Sequence, residues 1–335
     1  MNFPTNIYLV SALGAFLTTL ATLPLWRGWC RRHGHLDDPG HRKIHEEPVP
    51  LAGGLAVLTG LLVPLTVGVA LLHFEVRNFH PAAGWLGPRA ADALTYGLGK
   101  RSVELLALLL GAVGMAVLGW LDDKHELRPA KKFLGQLLIA TLVAAAGIRI
   151  TLFVPSVLFS YAATVLWILT VTNAFNFMDN MNGLCAGLGA IAALLLGLTA
   201  ALHDQYLVAA LAFFTCGAVS GFLPFNFPRA TAFLGDAGSH LIGFLLAVLA
   251  ILPHFHTAKD PHPWAVFSPL LILAVPLADL VWVVILRWRL GQPFYVGDNN
   301  HLSHRLVRLG LSKTVAVVVI WAVAAAVGSV ALSLN

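Results

Sequence analysis

The chain has 335 residues, 58% of them hydrophobic and 11% charged, with a mean hydropathy of +0.79 and a formal net charge of +5. An ordinary soluble domain, with about 25% charged residues, is excluded, and an integral membrane protein with several crossings is expected. No nucleic-acid partner is expected; the expected surroundings are a lipid bilayer. Each crossing takes roughly 20 apolar residues. Ten stretches qualify in chain order: Ile7 to Trp26, Leu51 to His73, Leu105 to Leu121, Phe133 to Ile148, Ser156 to Phe175, Gly183 to Leu202, Tyr206 to Phe225, Ala237 to His254, Val266 to Leu286 and Thr314 to Leu334. The expected fold is all-α, a single polytopic membrane domain over residues 1–335 with about ten transmembrane helices. No Lys or Arg precedes the first stretch, whereas Arg27, Arg31 and Arg32 follow it, so it is expected to stay in the membrane rather than be cleaved. Cys30, Cys185 and Cys216 have neither metal nor disulfide spacing and read as packing residues.

Short loops rich in Lys and Arg stay cytoplasmic. Most of the 21 Lys and Arg residues fall in the loops after the first, third and ninth stretches. The odd-numbered loops are therefore expected in the cytoplasm, with both termini on the other side. The carboxylates Asp37, Asp38, Glu46, Glu47, Asp122, Asp123, Glu126, Asp179, Asp236 and Asp298 sort to the same face, although only basic residues chose it. Positive-inside bias explains the cations but not these acids. A site for an anionic substrate and a divalent cation explains both.

Five segments of that face, 27–50, 122–132, 176–182, 226–236 and 287–313, carry the candidate residues. In the first, Arg42, Lys43 and His45 stand in a turn-rich stretch and suit phosphate oxygens; a basic anchor for anionic lipid headgroups fits them equally. In the second, Asp122 and Asp123 are adjacent carboxylates at a membrane edge, a costly pair unless a cation or a proton transfer uses them. A helix from Pro129 places Lys132 and Gln136 on one face, able to point back at the pair. A solvated helix end is the competing reading. The third segment sets Asn173, Asn176, Asp179, Asn180 and Asn182 into otherwise apolar sequence, where such polarity needs partners. In the fourth, Phe233-Leu-Gly-Asp236-Ala-Gly-Ser239 places an aspartate among glycines at the start of a stretch, where a backbone can approach a phosphate or metal closely, or where it simply caps a helix. In the last, His301 and His304 are three apart with Arg305 beside them, a pattern that suits phosphate better than zinc. Asp279 is an isolated intramembrane carboxylate whose partner the sequence does not reveal.

In this order the motifs Arg42-Lys-x-His45 with Gly53-Gly54, Asp122-Asp123 with Leu127, Lys132 and Gln136, Asn173-x-x-Asn176-x-x-Asp179 with Gly183-Leu184, Phe233-x-Gly-Asp236-x-Gly-Ser239, Pro276-x-x-Asp279 and His301-x-x-His304-Arg305 resemble the polyprenyl-phosphate N-acetylhexosamine-1-phosphate transferases. The resemblance runs from about Asp38 to Leu311. It implies a bacterial inner-membrane enzyme, with its site facing the cytoplasm, that moves a sugar 1-phosphate from a UDP-sugar to undecaprenyl phosphate and releases UMP. It further implies Mg²⁺, or Mn²⁺ in its place, on Asp236, and Asp122 or Asp123 deprotonating or positioning the lipid phosphate. Asn176 and Asp179 would serve the nucleotide and metal region and Phe233 would stack on uracil. His301, His304 and Arg305 would hold the pyrophosphate or sugar, and Arg42, Lys43, His45, Lys132 and Asn173 would complete the substrate contacts. A homodimer is compatible with this reading. The chain departs from the family's usual Asp-Gly-x-Asp-Gly at Asp179-Asn-Met-Asn182-Gly183, and has Ser303 where a histidine is common.

Within the family, the segments 38–54 and 276–305 resemble the GlcNAc-1-phosphate transferases that begin surface glycans or teichoic acids. The phospho-N-acetylmuramoyl-pentapeptide transferase of peptidoglycan synthesis is the alternative. A transporter built around Asp279 and Asn173 is a reading of another class, disfavoured by the lack of an internal repeat.

Overall fold

A computed structural model describes residues 3–37, 47–78, 88–152, 154–253, 263–293 and 299–334. Arg42, Lys43 and His45 lie outside the described residues. In chain order the helices are α1 (Thr5–His33), α2 (Gly53–Asn78), α3 (Pro88–Lys100), α4 (Ser102–His125), α5 (Pro129–Ala145), α6 (Val157–Met178), α7 (Leu184–Leu202), α8 (Tyr206–Asn226), α9 (Gly235–Leu249), α10 (Ser268–Ile272), α11 (Ala274–Arg289), α12 (Leu302–Arg308) and α13 (Lys313–Ser329). Two short strands, β1 (Leu36–Asp37) and β2 (Val49–Pro50), pair antiparallel with Asp37 opposite Val49. The fold is all-α apart from this ribbon.

Every apolar stretch of the sequence is helical, as its length and composition demand in a solvent that leaves no backbone group unbonded. Seven helices (α1, α2, α4, α6, α7, α8 and α13) are long and apolar enough to cross a bilayer, and the pair α10–α11 makes an eighth if taken as one span. That pair bends by 70° between Ile272 and Ala274. Pro276 accounts for the break, since its ring excludes the carbonyl four residues back, that of Ile272, and it has no N–H to continue the ladder. At 17 and 15 residues, α5 and α9 are shorter. Periodicity gave no sign of α3, a 13-residue helix whose Arg89, Asp92 and Lys100 leave too little hydropathy to register as a crossing.

Helix α9 is the axis of the bundle: every residue in it except Asp236 is buried, and α2, α4, α6, α7 and α8 surround it. A helix apolar on all sides belongs in such a core. Within a membrane, helices gain little by hiding apolar surface from lipid, so close approach through small residues must hold them together. Gly119 of α4 shows how close: a Cβ there would fall 2.2 Å from the Asp236 carbonyl oxygen. The N-terminus of α9 and the C-terminus of α4 are thereby brought backbone to backbone.

Candidate active site

The crossing of α4 and α9 sets the carboxylates. Helix α4 ends at Glu126 in a left-handed turn whose N–H bonds the Asp122 carbonyl, and Asp122 Oδ1 accepts the Leu127 N–H at 2.8 Å. Asp123 faces the other way. Its Oδ1 accepts the Asp236 N–H at 2.7 Å and its Oδ2 the Ala237 N–H at 3.1 Å, so it satisfies two of the free amides at the start of α9. Gly235 makes this possible with φ +70° and no side chain, since a Cβ would lie 2.7 Å from Asp123 Oδ2. Lys132, one turn into α5, joins the two acids: Nζ is 2.7 Å from Asp122 Oδ2 and 2.6 Å from Asp236 Oδ2. Asn176 completes the shell of Asp236, donating Nδ2 to Oδ1 at 2.8 Å and to Ser239 Oγ at 3.0 Å.

The turn after α6 presents Asp179. Asn226 holds this turn against the 226–233 loop, accepting the Gly183 N–H and donating to the Ala232 carbonyl at 3.0 Å. Phe233 is fixed in turn by the chain before α2, through its N–H on the Pro50 carbonyl at 2.9 Å and its carbonyl on the Gly53 N–H at 2.9 Å. Asp37, Asp123, Asp179, Phe233 and Asp236 line a cavity of about 510 Å³, to which α13 contributes Lys313, Thr314 and Val317. Burial, and then the charges of Asp236, Asp123 and Asp37, push the Asp179 carboxyl up to about 8. The cavity is short of positive charge. Its donors are oxygens, which fit a hard cation such as Mg²⁺. Among the described residues no three His, Cys, Asp or Glu side chains form a ready cage. Mg²⁺ commonly needs none, taking one or two carboxylates and filling its other positions with water and substrate phosphate.

The last predicted segment forms the short helix α12 with His301 at its N-cap. The His301 and His304 rings are 6.0 Å apart, and the Arg305 guanidinium lies 4.6 Å over the Trp282 ring of α11. Ser303 Oγ donates to Asn180 Oδ1 at 2.7 Å, tying α12 to the Asp179 turn. Two of the three positions at which the sequence departs from the expected motifs, Asn180 and Ser303, are therefore bonded to each other. The partner of Asp279, hidden from the sequence, is His301, with Nδ1 2.7 Å from Oδ2.

The structure thus gathers Asp122, Asp123, Asn176, Asp236 and Lys132 into one bonded cluster and places Asp179 and Phe233 on the same cavity wall. Asn173 sits one turn deeper in α6, where its Nδ2 donates to Gln136 Oε1 at 2.9 Å and to the Leu169 carbonyl. Gln136, expected to face the aspartate pair, is spent on that bond instead. Arg287 went unnoticed in the sequence as anything but a topology marker, yet it is 2% exposed and stacks 4.8 Å from the Phe177 ring. A lone arginine after a span gives no signal that separates the two roles. Asp37 and Lys313 also line the cavity; each sits on the charge-rich face, but nothing in its local spacing singled it out.

The chain is a multi-pass membrane protein of the α class, with carboxylates, amides and a lysine converging at one end of its bundle. Its sequence belongs to glycosyl transferase family 4: the family model described as "Glycosyl transferase family 4" matches residues 105–254, which hold the Asp122, Asp179 and Asp236 segments. The chain is 30% identical over 320 residues to the "Probable undecaprenyl-phosphate N-acetylglucosaminyl 1-phosphate transferase" of Bacillus subtilis, covering 93% of this chain and 80% of that one. It is 32% identical to the decaprenyl-phosphate N-acetylglucosaminephosphotransferase of Mycobacterium tuberculosis, over 94% of this chain and 80% of the relative. With the undecaprenyl-phosphate alpha-N-acetylglucosaminyl 1-phosphate transferase of Escherichia coli K12 the identity is 27%, over 97% and 84%.

Proposed function

We propose that this chain transfers GlcNAc 1-phosphate from UDP-GlcNAc to undecaprenyl phosphate, releasing UMP and leaving a lipid-linked pyrophosphoryl sugar that starts a surface glycan. The observation that carries the reading is the meeting of Asp123, Asp179, Phe233 and Asp236 on one cavity wall. Its volume is within the range of about 300–1,000 Å³ usual for small-molecule sites. Relatives named for this reaction match over nearly the whole chain, which favours it over the pentapeptide alternative.

In the net reaction a P–O bond forms between a lipid phosphate oxygen and the β-phosphorus. The bond from the β-phosphorus to the bridging oxygen breaks, and UMP leaves with that oxygen and its electron pair. Two phosphate-bearing substrates repel, so the site must gather them and offset their charge. Asp236 and Asp179 are the residues proposed to hold Mg²⁺, which supplies that offset when bound. Asp122 and Asp123 are proposed to position the lipid phosphate or take its proton, Lys132 to hold Asp122 and Asp236 in register, and Phe233 to stack on the uracil. Asn176 orients Asp236, and His301, His304 and Arg305 are assigned to the pyrophosphate or sugar.

The proposed topology has ten crossings, with α5, α9 and the bent α10–α11 among them, both termini outside the cytoplasm and the cavity facing in, in the bacterial inner membrane. The distribution of Lys and Arg supports it. The test is direct. Membranes bearing the protein, given UDP-GlcNAc, undecaprenyl phosphate and Mg²⁺, should release UMP, and a panel of UDP-sugars should rank GlcNAc first. Absence of UMP release with every UDP-sugar, together with an Asp236→Asn substitution that changes nothing in cells, would overturn the reading.

A further inference from the structure

Asp279 lies inside α11, just past the break at Ile272, and is 3% exposed. A carboxylate so placed in a spanning helix is costly unless both its oxygens are used. Both are: Oδ2 meets His301 Nδ1 at 2.7 Å, and Oδ1 accepts the Leu302 N–H at 2.6 Å. The two donors are adjacent residues at the start of α12, so a single side chain from α11 fixes both the start of that helix and the ring of its first histidine. The ring also meets Phe177, edge-on at 5.7 Å, two residues before Asp179.

An ionised carboxylate only accepts hydrogen bonds, so the nitrogen facing it must carry a proton. We infer that Asp279 is a positioning residue: it holds His301 with Nδ1 protonated and the ring turned so that Nε2 is the nitrogen offered to the pyrophosphate–sugar part of the donor substrate. The inference rests on the transfer reaction proposed above, but the pairing itself does not. The sequence hid the relationship because 22 residues separate the two partners. Asp279 touches no substrate in this scheme; its effect passes through His301.

Asp279→Asn is the informative variant. An amide keeps the size of the carboxylate but offers one acceptor where two donors converge, so either the Leu302 N–H or His301 Nδ1 meets an N–H₂ group. Four proteins are compared in detergent or membranes: the wild type, Asp279→Asn, His301→Ala and the double variant. UMP release is measured against UDP-GlcNAc and against lipid phosphate. The expected result is a loss of about ten- to a hundredfold in kcat/KM for UDP-GlcNAc in Asp279→Asn, with KM for the lipid unchanged and no further loss when the same change is made in His301→Ala. Equal losses in both backgrounds, or no loss at all, would overturn the assignment. A readout independent of turnover comes from ¹⁵N-histidine NMR, with the His301 signals assigned by their disappearance in His301→Ala. A protonated Nδ1 in the wild type is expected, and an unprotonated one sinks the inference even if Asp279→Asn fails to fold. A wild type that releases no UMP but shows the protonated Nδ1 refutes the reaction and leaves the pairing standing.

Discussion

Asp123 accepts the backbone N–H of Asp236 at 2.7 Å, so one aspartate caps the helix that carries another. This bond converts a pair of adjacent acids at the end of α4 into two different groups. Asp123 is committed to the positive end of α9. Asp122, bonded to the Leu127 N–H and to Lys132, belongs to the edge of α5.

Lys132 should be the most sensitive member of that cluster. Lys132→Met leaves Asp122 and Asp236 facing each other without an ammonium between them, and loss of hydrogen bonds to charged groups costs about 1.5–3 kcal/mol. The variant is expected to melt several degrees lower than the wild type and to lose nearly all UMP release. Added Mg²⁺ should restore more of its Tm than it adds to the wild type. A melting curve unmoved by the substitution would contradict the bridging role.

Asp179 gives a pH dependence whose sign can be worked out. Its carboxyl sits higher in the folded chain, at about 8, than in an unfolded one, near ~3.9. The contribution of the neutral form to stability is therefore full below the unfolded value and lost as pH rises through about 8. A cation that binds the ionised site competes with this proton. The apparent Mg²⁺ affinity, followed by thermal-shift titration, should rise about tenfold per pH unit up to about 8 and then level off. Asp179→Asn should weaken binding and remove the slope. A flat profile for the wild type over that range would show that Asp179 takes no part.

Gly119→Ala tests the crossing of α4 and α9. The added methyl would meet the Asp236 carbonyl oxygen at 2.2 Å and the Ala237 nitrogen at 2.5 Å, both backbone atoms that cannot swing away. A loss of about 1–3 kcal/mol is expected from such overpacking, together with a fall in activity as the Asp123 bonds to α9 stretch. Gly114→Ala on the same helix is the control, since its methyl meets only the flexible end of Ile139 at 3.2 Å. Equal melting temperatures for the two variants would refute the close approach.

Ser303→Ala removes the bond that ties α12 to Asn180. The cost in stability should be about 1 kcal/mol. The larger effect is expected in KM for the UDP-sugar, because the tie sets where the His301 and His304 helix stands relative to Asp179. If kcat falls while KM stays fixed, Ser303 acts on the chemistry rather than on placement.

Much of this architecture was legible in the sequence, because in a bilayer a run of apolar residues has only one backbone solution. Each of the ten stretches is helical, the ninth as two helices bent by 70°, and the aspartates of three distant segments meet on one cavity. Lys132 was legible through the helix expected from Pro129, whereas the shared face of that same helix misplaced Gln136, whose amide found Asn173. What separates the two is depth: Lys132 lies at the helix start, beside the carboxylates, and Gln136 one turn further in, level with an amide on α6. The bonds between Asp279 and His301, and between Asn180 and Ser303, were invisible, since each depends on how a short helix docks rather than on local pattern. Helix α3 was missed because its polar face dilutes the hydropathy that marks the others.

The cavity borrows a wall from α13, where Lys313, Thr314 and Val317 face residues contributed by β1, α4 and the turn before α7. Its lining is drawn from segments far apart in the sequence. A substitution in α13 therefore reshapes the cavity around Asp123, Asp179 and Asp236, although the sequence separates that helix from all three.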